Sequence, residues 1–170
     1  MCNFIAIIQY YTSMILLSID PGFERLGLAV IQKEGRGKET LLYSECFKTS
    51  AKLPHHERLR LIGNKIEDVI KEYKPTELAT EKLFLTSNQK TVIPVAEARG
   101  VILYIAGKHN MYVSEYSPPQ IKVAVTGYGR SDKTQIMAMV PRLITVTKKI
   151  KSDDEFDAIA IGLTHCAISR

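Results

Sequence analysis

Cysteine is scarce in this sequence: Cys2, Cys46 and Cys166 stand far apart, odd in number and without a C-x-x-C pair. Neither a disulfide framework nor a zinc site is indicated, and this usage suits a reducing cytoplasm. No GxxxxGK[ST] loop and no Ser-His-Asp ordering occurs, which argues against a P-loop NTPase and a triad hydrolase. The chain also lacks an internal repeat, a low-complexity tract and a linker-like stretch, so one domain is expected over residues 14–170. Residues 1–13 have an apolar centre, Phe4 to Ile8, with no basic segment ahead of it and no small-residue cleavage site. They read as neither a signal peptide nor a membrane span. The expectation is an N-terminal extension, disordered or reflecting a start at Met14, and dispensable for folding.

What is present is an ordinary globular composition, 45% hydrophobic and 24% charged over 170 residues. A domain of this size buries roughly two-thirds of its unfolded surface. The formal net charge of +5 leans towards an anionic partner, with nucleic acid the first candidate.

The stretch Ile15-Leu16-Leu17-Ser18-Ile19-Asp20-Pro21-Gly22 is the most informative. A short apolar run bounded by a Pro-Gly turn predicts a buried strand. Asp20 then sits where that strand meets its turn, a costly place for an unpaired charge. Either it caps the turn through its own backbone, or it is a metal-binding carboxylate on a rigid strand. Strands are also predicted at Gly27 to Lys33 and Leu41 to Phe47, joined by the polar Gly35 to Lys38 turn, giving an antiparallel meander. From Pro54 the period changes: Leu59, Ile62, Ile66, Val69 and Ile70 predict an amphipathic helix ending near Tyr73. Thr76 to Thr80 reads as a strand with Glu81 at its end, Val95 to Gly107 as a helix, and Met111 to Tyr116 as a strand. Ser117-Pro118-Pro119 opens a short helix, another begins at Lys133 and meets Pro141, and Asp153 to about Ile168 is the final helix. The fold class is therefore α/β, a mixed five-stranded sheet with the meander first and helices on both faces.

Asp154 and Asp157 lie three apart at the start of the final helix, hence on one face. Helix capping accounts for acids in a first turn. Asp157 lies deeper and precedes the apolar Ala158-Ile159-Ala160-Ile161. If Asp20, Glu81, Asp154 and Asp157 met, repulsion would raise their pKa values unless divalent cations bridged them. An all-oxygen set suits Mg²⁺ or Mn²⁺, and two such ions about 4 Å apart form the clamp used for in-line displacement at phosphodiesters.

SIDPG, ATEKLF, EARGV, the loop GYGRSDKTQI and the closing DDEFDAIAIGLTHC closely resemble the RuvC family of bacterial Holliday junction resolvases. The resemblance covers Ile15 to about Cys166. It implies an RNase H-like fold and Mg²⁺-dependent paired symmetric nicks across four-way junction DNA, leaving 5′-phosphate ends. It also implies two metal ions per site, a homodimer, and work alongside a branch-migration motor in recombination and repair. By this resemblance Asp20, Glu81, Asp154 and Asp157 match metal-binding catalytic acids. Phe84 matches an aromatic that stacks on a base at the opened crossover. Lys122 and Lys133 match basic residues near the active site, and Arg130 extends that DNA-binding surface. His165 matches the family's Thr-His-Cys ending and is expected to be structural. Two other readings are an RNase H-like nuclease of ribosomal RNA maturation and a junction-binding protein without catalysis.

Overall fold

The structure, a computed structural model, describes residues 13–35, 37–83, 89–146 and 148–169, with the backbone alone at 89–91. Six strands form one sheet: β1 (Ser13–Asp20), β2 (Arg25–Glu34), β3 (Glu39–Lys48), β4 (Glu77–Glu81), β5 (Tyr112–Tyr116) and β6 (Ile144–Val146). Five helices accompany them: α1 (His55–Tyr73), α2 (Gln89–Lys108), α3 (Pro118–Thr126), α4 (Lys133–Leu143) and α5 (Asp153–Ile168). The strand order is β5-β4-β1-β2-β3-β6. The meander β1-β2-β3 is antiparallel as expected, while β4 pairs parallel to β1 and β5 parallel to β4.

The sheet has six strands and not five. The sixth, β6, is three residues long, lies parallel to the edge of β3, and follows directly on α4. Pro141 does not abolish α4; the helix runs two residues beyond it and then gives way to β6. Helix α2 begins at Gln89, earlier than the Val95 read from sequence, with Pro94 inside it. The expected extension, residues 1–13, lies outside the described residues except for Ser13, which opens β1 opposite Glu34.

The period-two alternation of a strand decides what each face carries. In β1, Leu17 and Ile19 pack with Leu28, Val30, Leu78 and the apolar sides of α1 and α2. Leu16, Ala29, Ile31 and Ala79 face the other way and pack with Ile159, Ala160 and Leu163 of α5 and with α3 and α4. Both faces are covered, so β1 is buried on both sides, which explains its nearly continuous apolar run. The same alternation places Ser18 and Asp20 on the α5 face, and Glu77 and Glu81 with them. Gly162 lets α5 sit flush there: an added Cβ would stand 2.5 Å from Ile31 Cδ1 and 2.7 Å from Ser18 Oγ.

The turn after Asp20 is pinned from the α1 side. Arg58, 7% exposed, lies 3.8 Å over the Phe23 ring and donates from Nε to Thr49 Oγ1 at 2.9 Å. Thr49 Oγ1 in turn donates to the Phe23 carbonyl at 2.7 Å. Among the described residues, no helix is long and apolar enough to cross a membrane.

Candidate active site

Because β1 and β4 are parallel neighbours with Ile19 opposite Thr80, their terminal residues Asp20 and Glu81 come side by side. The register continues as a row across the sheet: Glu81 opposite Tyr116, Asp20 opposite Gly27, and Gly27 opposite Cys46. This row lies beneath the N-terminal end of α5. Ser152 caps that helix by accepting from Glu155 N at 3.3 Å. Glu155 anchors it further, its Oε2 accepting from the buried Ser44 Oγ of β3 at 2.7 Å.

Gly27 sets how closely α5 approaches. An added Cβ there would run into the carbonyl oxygen of Asp154 and lie 3.1 Å from Asp20 Cβ. A glycine inside a strand marks a site where another backbone comes close, and here it brings Asp154 down onto Asp20. Gly27 was not singled out from sequence, although that signal was available. Arg25 was missed too, and a lone arginine at a strand start carries no signal of its own.

The electrostatics show the acids acting on one another. Burial pushes the Asp20 carboxyl up to about 7, and the charges of Asp157, Glu81 and Asp154 add to the rise, with Lys133 opposing it. Burial, and then Asp157, raises Glu81. Burial would also raise Asp154, but hydrogen bonds from Arg25 and Cys46 outweigh it and hold that carboxyl below the ordinary range. Arg25 Nε donates to Asp154 Oδ2 at 2.9 Å, and the same oxygen accepts from the other arm of the guanidinium. Lys133 Nζ donates to Asp157 Oδ2 at 3.0 Å and lies 3.4 Å from Asp153. Burial opposes the charge on Lys133, but its bonds to Asp157 and Asp153 prevail and raise it.

Replacing Arg25 with Ala is expected to move the Asp154 carboxyl upward in an NMR pH titration. An unchanged Asp154 would show that the fork does not govern its charge.

A cleft of about 230 Å³ opens beside the acids, lined by Glu81, Asp157, Lys122 and Lys133 over a floor that includes Ile121, Ile136 and Ile161. The structure thus gathers Asp20, Glu81, Asp154 and Asp157 at one end of the sheet, with Lys133 bonded to Asp157 and Lys122 lining the same cleft. Arg130 is exposed on the loop between α3 and α4 and does not line the cleft. Phe84 lies outside the described residues. Among the described residues, no three acidic, histidine or cysteine side chains already close on one point as a metal shell. The donor set is nevertheless all carboxylate oxygen, and the burial and neighbouring acidic charges that push the Asp20 carboxyl up to about 7 are what a hard divalent cation offsets. The residues present fit such an ion.

His165 is fully buried, with Nε2 2.6 Å from Glu77 Oε2 and Nδ1 2.9 Å from the Tyr116 hydroxyl. With the tyrosine donating to Nδ1, Nε2 carries the proton and donates to Glu77, which ties α5 to β4 and β5. That is a structural role, as read from sequence.

A mixed sheet in this order, with acids at the ends of two central parallel strands and on a helix crossing them, defines an RNase H-like nuclease fold. The family model "Crossover junction endodeoxyribonuclease RuvC" matches residues 16–165. The chain belongs to the RuvC family. A crossover junction endodeoxyribonuclease RuvC from Alkaliphilus oremlandii is 42% identical over 152 residues, 89% of this chain and 92% of the relative. The Thermus thermophilus RuvC structure superposes with a TM-score of 0.84 at 33% identity, covering 92% of this chain and 96% of that one. T. thermophilus RuvC in complex with Holliday junction substrate gives 0.86 at 32% identity, covering 92% and 95%.

Proposed function

We propose that this chain is a Holliday junction resolvase, hydrolysing one phosphodiester in each of two opposed strands of a four-way DNA junction. The observation that carries the reading is the meeting of Asp20 and Glu81 at the sheet end with Asp154 and Asp157 on α5, with Lys122 and Lys133 lining the cleft beside them, in a member of this family. Asp20, Glu81, Asp154 and Asp157 hold the metal, Mg²⁺ with Mn²⁺ able to substitute, two ions per site. When bound, such ions supply charge compensation at the attacking and leaving oxygens. Lys122 and Lys133 draw the scissile phosphate into the cleft and offset the charge that builds on it. Water adds to phosphorus and the bond to the 3′-oxygen breaks, leaving a 5′-phosphate and a 3′-hydroxyl. The sheet end and α5 fix the acids in advance, so little reorganisation is needed at the moment of reaction.

Two cuts related by symmetry call for two equivalent sites, and a C₂ homodimer facing a two-fold junction provides them. Phe84 and Arg130 belong to the DNA surface in this reading, a single nuclease domain spans residues 14–170, the setting is cytoplasmic, and a branch-migration motor is a partner. The test is a nicking assay on a mobile four-way junction with Mg²⁺, read beside linear duplex and structured RNA. Paired symmetric nicks in the junction alone are expected. Tight junction binding without nicks at any Mg²⁺ or Mn²⁺ level would replace the reading with a scaffold, and cleavage of RNA alone with an RNA-processing enzyme.

A further inference from the structure

The loop between α3 and α4 is built to hold one aromatic ring in solvent. Gly127 closes α3 in the left-handed region at φ 76°. Thr126 Oγ1 donates to the Lys122 carbonyl at 2.8 Å and accepts from Tyr128 N at 3.2 Å. On the other side, the Tyr128 carbonyl accepts from Ser131 Oγ at 2.6 Å and from Ser131 N at 3.1 Å, and Ser131 is 1% exposed. Asp132 then caps α4, accepting from Gln135 N at 2.9 Å while its own N donates to Gln135 Oε1 at 3.0 Å. Both backbone polar groups of Tyr128 are therefore committed, yet the residue is 57% exposed, and Val123 on the preceding turn of α3 is 51% exposed.

The loop thus holds its backbone fixed while leaving the Tyr128 ring, an apolar face with a polar tip, open to a partner outside the fold. Its neighbours identify the partner. Lys122 precedes it on α3, Arg130 stands two residues on, and Lys133 opens α4, with both lysines lining the cleft beside Glu81 and Asp157. Asp132, the carboxylate that ends this loop, is engaged in capping, while Lys133 is paired with Asp157. An aromatic face among cations on a preorganised loop suits a nucleic-acid strand, whose bases stack on the ring while its phosphates meet the charges.

We propose that Tyr128 stacks on a base of the DNA strand entering the cleft, where the crossover leaves that base unpaired, and that Arg130 binds a phosphate of the same strand. The proposal rests on the junction reading above and adds to it a residue that grips the strand beside the cut.

The experiment is equilibrium binding of a fluorescent four-way junction to the full chain in EDTA, across a range of salt, for wild type, Tyr128→Ala, Tyr128→Trp and Arg130→Ala. Tyr128→Ala is expected to weaken binding roughly fivefold or more at every salt concentration, leaving the slope of log K against log salt unchanged. Tyr128→Trp should restore wild-type affinity. Arg130→Ala should make the slope shallower by about 0.9, the signature of one lost phosphate contact. Unchanged melting temperatures would place these losses at the interface. Tyr128→Ala binding within twofold of wild type, or Tyr128→Trp binding as weakly as Tyr128→Ala, would overturn the stacking role. A wild type that bound junction no better than duplex would overturn the junction reading first, and this one with it.

Discussion

Asp20→Asn is expected to leave a four-way junction bound and uncut, and to make the metal-free protein more stable. Asn matches Asp in size, and β1 is held by its backbone pairing with β2 and β4, so the strand and its turn should persist. It cannot supply the negative charge that holds a divalent cation, and cleavage should fall by at least about 10³-fold, read as nicks per bound junction. The stability gain follows first from the burial of Asp20 and then from the crowding of acids around it. Burial and the charges of Asp157, Glu81 and Asp154 raise Asp20 from 3.8 to about 7. Between those values the unfolded chain releases the proton that the folded chain keeps. Stability therefore falls as pH rises through that window and levels off above about 7. Three units would correspond to ~4 kcal/mol. Asp20 is partly open to solvent and Asn is itself costly to bury, so about 2 kcal/mol is the expected gain at pH 8, shrinking towards pH 4. For a chain of this length that is several degrees in melting temperature. Added Mg²⁺ should stabilise the wild type more than Asp20→Asn. A variant that still nicks, or that melts below the wild type at pH 8, would contradict the role assigned to Asp20.

Gly27→Ala is expected to separate cutting from binding by another route. The added methyl collides with the Asp154 carbonyl and sits 3.0 Å from its carbon, so either α5 lifts or β2 shifts. Neither is a flexible side chain that can swing aside. Overpacking of this kind costs about 3 kcal/mol. A displacement of about 1 Å of Asp154 and Asp157 relative to Asp20 should lower cleavage by about 10²-fold, because the acids no longer act together. Lys122, Lys133 and Arg130 lie on α3, α4 and their loop, so junction affinity should stay within a few-fold of wild type. Gly100 on α2 is a fit control, since a Cβ there meets nothing within 4 Å. Equal losses from Gly27→Ala and Gly100→Ala would mean that close approach of α5 is not what assembles the site.

Much of this arrangement can be read from sequence, for identifiable reasons. β1 is legible because it is buried on both faces and ends abruptly in Asp-Pro-Gly, and α1 because its apolar residues keep a helical period up to Tyr73. The acids Asp20 and Glu81 stand out as charges closing apolar runs. Other elements are illegible for equally physical reasons. β6 is three residues of edge pairing whose partner, β3, lies about a hundred residues away, and no local pattern encodes such a contact. The start of α2 is hidden by Pro94, which suggests an early helical position while the helix in fact begins five residues before it. Arg25 becomes meaningful only when α5 lowers Asp154 onto it, 129 positions along the chain. Gly27 is intermediate: a glycine between Leu26 and Leu28 announces a close approach without saying by what.

The acids also come from segments far apart, with the Asp154–Asp157 helix following every strand of the sheet. During synthesis, Asp20 and Glu81 emerge long before α5 does. Until it arrives, the face bearing Leu16, Ala29 and Ile31 lacks its main cover, and the row of acids has neither Asp154 nor Asp157. A nascent chain can therefore form its meander before the four acids are together. The helix that completes the hydrophobic core is thus also the one that brings the last two acids to the sheet end, so core closure and assembly of the acidic row are a single event.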